Sequence, residues 1–479
     1  MIRNALLLAG AMTLVLTGAA GAQTLDAASE IDPVAAVCIG QGGEATEARL
    51  AACSEIVETF EGAAAQAWGL SMRAAIQEDM GLSERALADA DKAVRLNPNE
   101  AYGYFVRAIV LSGNGDNKLA LADAERAVKL EPNGLYLRLR ADLRDEAGDT
   151  AGALADYDRA IELSPTNSFY FVSRAHLRDK LKDRAGALAD LDTAVKMSNG
   201  EPSQLVLRAD FLLYAGRYDE AKAGYDQALA KRPDYVWAIT GRAKLLQQQG
   251  DLTAAKLELD RALSLKTDDA DVYLERGWLR YAMDDMVGAR SDMDRAVELD
   301  AENALLDRAQ LFLRLKQYDL ALSDLARAPQ SADTTVARAQ LFSEQQDWTR
   351  AIAEADRAVK LEPESVAALN NACWIRGEAQ RDLNRAVTIC TKAVKLAPDD
   401  FAPLDSRAFA HLRRGDLQKA LADADAALRL HPASAETLYL RGAIRLRLGQ
   451  KAEGEADLAA ARKLDAKVEA QYASYGLLL

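Results

Sequence analysis

Apolar positions along this chain follow two superposed periods. At short range, as in Leu87, Ala90, Ala93 and Val94, they recur every three or four residues, the spacing that gathers them on one face of an α-helix. At long range whole stretches return. ALADADKAVRLNP at 86–98 recurs as ALADAERAVKLEP at 120–132, ALADYDRAIELSP at 153–165, ALADLDTAVKMSN at 187–199 and ALADADAALRLHP at 420–432. Pro98, Pro132, Pro165, Pro233, Pro363, Pro398 and Pro432 punctuate the same point of the pattern, and Pro98 to Pro132 spans 34 residues, as does Pro398 to Pro432. Self-similarity at such a period means one small helical unit used many times over.

The unit follows from its side chains. Each repeat opens with a helix carrying a small residue at its eighth position, for example Ala74, Ala108, Gly277, Cys373 and Gly442, so a second helix can approach closely. A turn follows, often with Gly ending the first helix, as at Gly81, Gly148 and Gly415. The second helix places Ala at one fixed position in all twelve repeats, from Ala93 to Ala461. Proline then prevents it from running into the next unit.

Twelve units in phase over residues 67–466 resemble the tetratricopeptide repeat, TPR. The resemblance implies an all-α chain, an α-solenoid in which about twelve helix–turn–helix units wind into a right-handed superhelix. The missing proline at Asn199, Thr267 and Ala301, and Gly454 in place of the usual Ala, depart from the pattern locally.

Around the array the sequence predicts a signal peptide at 1–22, a leader at 23–34 and a degenerate half-repeat at 35–66. That half-repeat has helices near 35–39 and 47–59, and the chain ends in a capping helix at 467–479. Spacing contracts where Ala328 precedes Pro329, which predicts a shortened second helix and a division into lobes at 67–328 and 332–466.

A charge pattern rides on the repeat. Arg stands just before the small residue in eleven repeats, from Arg73 to Arg441, and an acid recurs on the second helix, from Asp89 to Asp457. These predict a ladder of partly buried ion pairs that fixes register more than it stabilises, because desolvation offsets much of the attraction. The tenth repeat lacks both members, with Ala372 and Ile389 in their places, but it carries Cys373 and Cys390 on facing helices.

Composition narrows the compartment and the partners. Arg3, the apolar run 5–16 and the small residues Ala20, Gly21 and Ala22 read as an export signal cleaved after Ala22. No later segment is apolar enough to span a membrane. Four cysteines in two local pairs, Cys38 with Cys53 and Cys373 with Cys390, predict two disulfides in an exported chain. The net charge of -14, with signs interspersed, argues against nucleic acid.

No GxSxG, HExxH or GxxxxGK[ST] motif marks a catalytic centre, and no cofactor or metal is expected. The TPR resemblance implies instead a concave groove lined by first helices. Its groove positions hold Trp68, Tyr102, Phe105, His176, Trp237 and Trp278. They continue with Tyr281, Asn370, Asn371, Trp374, Phe409 and Tyr439. Aromatic rings supply anchoring area and Asn bonds an extended backbone. Groove-facing Lys is limited to Lys180 and Lys244, which argues against the carboxylate clamp of some TPR domains. NNACW at 370–374, DLNRAVTICTKAVKLAP at 382–398 and YASYGLLL at the end are similar to exported TPR proteins of proteobacteria. The expectation is a periplasmic scaffold or adaptor for a peptide or protein partner, of unassigned oligomeric state. The alternatives are an accessory subunit for polysaccharide or a polysaccharide-handling enzyme, and more remotely a hydrolase using His176.

Overall fold

The computed structural model describes residues 33–40, 43–265 and 268–477, and among these it contains 27 helices and no strand. The predicted signal peptide and most of the leader lie outside the described residues. Helices α1 (Pro33–Ile39) and α2 (Thr46–Thr59) form the predicted half-repeat and are joined by a Cys38–Cys53 disulfide with Cα atoms 4.9 Å apart.

Twelve helical hairpins follow. The first five are α3 (Ala63–Asp79) with α4 (Ser83–Leu96), α5 (Ala101–Gly113) with α6 (Asn117–Leu130), α7 (Gly134–Glu146) with α8 (Thr150–Leu163), α9 (Ser168–Lys180) with α10 (Arg184–Met197), and α11 (Pro202–Tyr214) with α12 (Tyr218–Lys231). The next three are α13 (Val236–Gln248) with α14 (Leu252–Ser264), α15 (Ala270–Ala282) with α16 (Met286–Leu299), and α17 (Ala301–Arg314) with α18 (Tyr318–Arg327). The last four are α19 (Ala332–Glu344) with α20 (Trp348–Leu361), α21 (Val366–Ala379) with α22 (Leu383–Leu396), α23 (Phe401–Arg414) with α24 (Leu417–Leu430), and α25 (Ala435–Arg447) with α26 (Lys451–Leu464). A short α27 (Val468–Ser474) ends the described chain.

Local chemistry sets the hairpin. Gly148 takes a left-handed conformation (φ 84°) that ends α7, and Asp149 caps α8 by accepting from the Gly152 amide at 3.0 Å. Asp183, Asp251, Asp285 and Asp347 cap their second helices in the same way. Between helices the fixed alanines are sealed off, as at Ala127, Ala228 and Ala461. One close approach replaces alanine altogether. A Cβ on Gly442 of α25 would stand 3.0 Å from the Gly454 carbonyl oxygen, and one on Gly454 of α26 would stand 3.0 Å from the Gly442 carbonyl oxygen. The departure at Gly454 thus matches a closer crossing of two backbones.

Two compact units divide between Leu245 and Leu246, inside α13, whereas the sequence placed its division at 328–332. The contraction there appears locally: α18 has only 10 residues and ends at Arg327, and the C-cap Ala328, with a ψ of 152°, breaks the helix before Pro329. In the second unit the Cys373–Cys390 disulfide ties α21 to α22, with Cα atoms 5.6 Å apart.

Candidate functional site

The first helices carry both the recurring arginines and the candidate binding residues. Within-repeat rungs of the ladder close at 2.6–2.8 Å, among them Arg73–Asp89, Arg174–Asp190, Arg338–Glu354 and Arg441–Asp457. Hydrogen bonding to Asp123, opposed in part by burial, raises the Arg107 pKa above the ordinary arginine value.

Sequence reasoning missed a second rung. Arg107 also reaches back to Asp91 of the preceding hairpin at 2.9 Å, Arg174 to Asp158 at 2.6 Å, Arg276 to Asp260 at 2.8 Å and Arg441 to Asp425 at 2.9 Å. Each such arginine therefore joins its own hairpin to the one before it. The signal was present as Asp-x-Asp on the second helices, at 89–91, 156–158, 190–192, 292–294 and 423–425. Arg208, whose own acid is replaced by Gly224, keeps only the backward rung, to Asp192. In the tenth repeat Arg376, one turn beyond the vacant ladder position, reaches back to Asp356 of α20 in the preceding hairpin at 2.7 Å. Arg376 is 0% exposed.

The twelve candidate groove residues fall into different environments. Trp68, Tyr102 and Phe105 are buried, with Phe105 and Tyr136 ring centroids 5.0 Å apart, so their surfaces are consumed by packing between neighbouring hairpins. His176 on α9 and Trp237 on α13 reach solvent, Trp237 with 54% of its surface exposed. Trp278 and Tyr281 share one side of α15 in a T-shaped pair 6.0 Å apart. The Arg314 guanidinium lies 5.6 Å from the Trp278 ring and 5.8 Å from Tyr281, and the Trp278 indole N–H donates to Asp307 at 2.6 Å. Both rings remain partly exposed, held edge and face by polar neighbours.

The remaining candidates converge on the first helices of the last three hairpins. Trp374 of α21 stacks on Phe409 of α23 at 4.6 Å. Phe409 and Tyr439 are fully buried, which removes them from any open surface, and what covers them comes from α27 and the residues just after it. Asn370 and Asn371 stand one turn before Trp374, each with a buried Oδ1 that finds no hydrogen-bond partner among the described residues. Asp405 of α23 lies beneath the same cluster; burial pushes its carboxyl up to about 6, against a smaller opposing effect of the Thr437 hydroxyl. Burial also raises Glu378, which accepts from the Ser343 hydroxyl at 2.6 Å. Among the described residues no cluster of three or more His, Cys, Asp or Glu side chains is arranged to hold a metal ion.

Comparison with known proteins addresses the repeat itself. Two family models described as tetratricopeptide repeat match, one over residues 212–276 and one over 105–168, 336–401 and 407–469, together more than half of the chain. Curated proteins give no match. Among solved structures the chain is similar to yeast Tom70, with a TM-score of 0.45 and 17% identity, covering 85% of this chain and 98% of that one. A tetratricopeptide repeat protein from Parabacteroides merdae matches with a TM-score of 0.43 and 20% identity, covering 53% of this chain and 98% of its own. The APC/C hetero-tetramer Cut9-Hcn1 matches with a TM-score of 0.43 and 13% identity, over 92% and 95%. Repeats in phase, hairpins of matching construction and family matches at both ends of the array agree: the chain belongs to the tetratricopeptide repeat family.

Proposed function

We propose that this chain is an exported scaffold or adaptor that holds a peptide or protein partner against its first-helix face, in the periplasm and in the service of envelope assembly. TPR arrays are protein-interaction modules, and the observation that carries the reading here is the Trp278–Tyr281–Arg314 group. Two partly exposed rings, Trp278 fixed by its bond to Asp307, and the Arg314 guanidinium make a rigid amphipathic anchor of the kind that dominates interface energetics. Two disulfides fit an oxidising compartment, and no helix among the described residues is long and apolar enough to cross a membrane. No catalytic step belongs to this reading.

The test is crosslinking and pull-down from the native periplasm with the wild-type protein and Trp278→Ala. A partner recovered with the wild type and lost with the variant supports the reading; recovery unaffected by Trp278→Ala removes the anchor from it. The exposed Trp237 face is also suited to stacking on a sugar ring. Glycan binding by the isolated protein, unaffected by competitor peptides and lost in Trp237→Ala, would favour a polysaccharide-handling role instead.

A further inference from the structure

Residues 468–477 reach further than the end of an array requires. An end cap need only cover the open face of the last hairpin. This segment touches the first helices of three. The fully buried Tyr472 ring stacks on Tyr439 of α25 with centroids 5.0 Å apart and meets Phe409 of α23 edge-on at 6.3 Å. Three residues later Tyr475 stands edge-on to Trp374 of α21 at 5.4 Å. The main chain is gripped too. Arg413 of α23 donates to the carbonyl oxygen of Tyr475 and, at 3.2 Å, to that of Gly476. Leu477 is buried behind them.

Ring anchors seated on successive helices, with a guanidinium bonded to backbone carbonyls, are how a repeat array holds a foreign peptide; here the peptide is its own.

We propose that residues 468–477 are a displaceable ligand held in cis on the α21–α23–α25 face, and that the partner segment replacing them carries two tyrosine-like aromatic residues three apart on a short helix. This rests on the scaffold reading above and specifies the chemistry of its partner. Displacement frees Trp374, Phe409 and Tyr439 together, so the face passes from the cis segment to an aromatic competitor as one unit.

The experiment uses the full chain and a fluorescein-labelled peptide with the sequence of residues 466–477. Tyr472→Ala/Tyr475→Ala, which strips the anchors from the cis segment, is expected to bind the peptide at least tenfold more tightly than the wild type. Adding Arg413→Ala should abolish that binding, and a peptide with both tyrosines replaced by alanine should not bind. Equal binding by wild type and double variant overturns the proposal. So does no binding by a double variant whose α21, α23 and α25 amides stay protected from hydrogen exchange. If the double variant loses that protection, Tyr475→Ala alone, which removes only the half-buried ring, is read by the same criteria. Failure here with Trp278-dependent capture intact leaves the scaffold reading standing; peptide binding without any capture overturns the scaffold reading instead.

Discussion

Replacing Asp405 by Asn tests how the C-terminal cluster is assembled. The Asp405 carboxyl lies under the cluster, its Oδ1 has no partner among the described residues, and burial pushes its pKa from 3.8 up to about 6. The direction matters. With its pKa raised in the folded state, the carboxyl keeps its proton after the unfolded chain has released it. Stability is therefore full below pH 4, falls as the pH rises through 6, and stays low above. A rise of about two units, at about 1.4 kcal/mol each, corresponds to about 3 kcal/mol lost at neutral pH. Asn keeps an acceptor for the Thr437 hydroxyl and cannot ionise. Repeat arrays open locally, so the appropriate readout is hydrogen exchange of α23 and α25 amides, corrected for the intrinsic pH dependence of exchange. Asp405→Asn should slow that exchange about a hundredfold at pH 7.5 and leave it unchanged at pH 4. Exchange at pH 7.5 as fast as in the wild type, or a gap that persists at pH 4, would refute the assignment of a buried, protonatable carboxyl at this site.

Three further substitutions probe the array. Gly454→Ala gains about 1 kcal/mol of helix propensity but drives a Cβ to 3.0 Å from the Gly442 carbonyl oxygen, so a net loss of about 1–2 kcal/mol is expected in thermal or urea unfolding. Lys316 closes α17 at φ 56°, where most repeats use Gly; Lys316→Gly should slow exchange at the end of α17, a gain of up to about 1 kcal/mol. Cys373→Ala/Cys390→Ala opens a loop with a sequence separation of 17, and local stability of α21 and α22 should fall by about 3 kcal/mol, read as faster exchange there under oxidising conditions.

The hairpins were legible because their construction depends on small residues at fixed offsets: Ala93 or Ala461 can occupy its place only if another helix lies against it. The disulfide of the tenth repeat was legible for the same reason, since Cys373 occupies the contact position itself. The backward rungs escaped, although Asp91 and Asp158 repeat as faithfully as Asp89 and Asp156, because attention to one unit does not show which acid faces the next. The candidate site was less legible still. Periodicity assigns Phe409 and Tyr439 to a first-helix face but gives no hint that Tyr472, distant in sequence from Phe409, comes back to cover it. Separating Trp237, free to meet a ligand, from Phe105, spent on a neighbouring ring, requires tertiary packing that no local pattern encodes.

An arginine that clasps acids on both sides makes its hairpin a cassette with matching ends. Arg174 receives Asp158 from behind and Asp190 from its own unit, and Arg276 does the same with Asp260 and Asp292. A unit bearing both features can be duplicated or excised and still mate with whatever flanks it. The array is thereby free to lengthen or shorten by whole cassettes wherever such an arginine stands; Arg208 lacks the acid of its own unit, and in the tenth repeat the Cys373–Cys390 bond holds the unit together while Arg376 reaches back to Asp356.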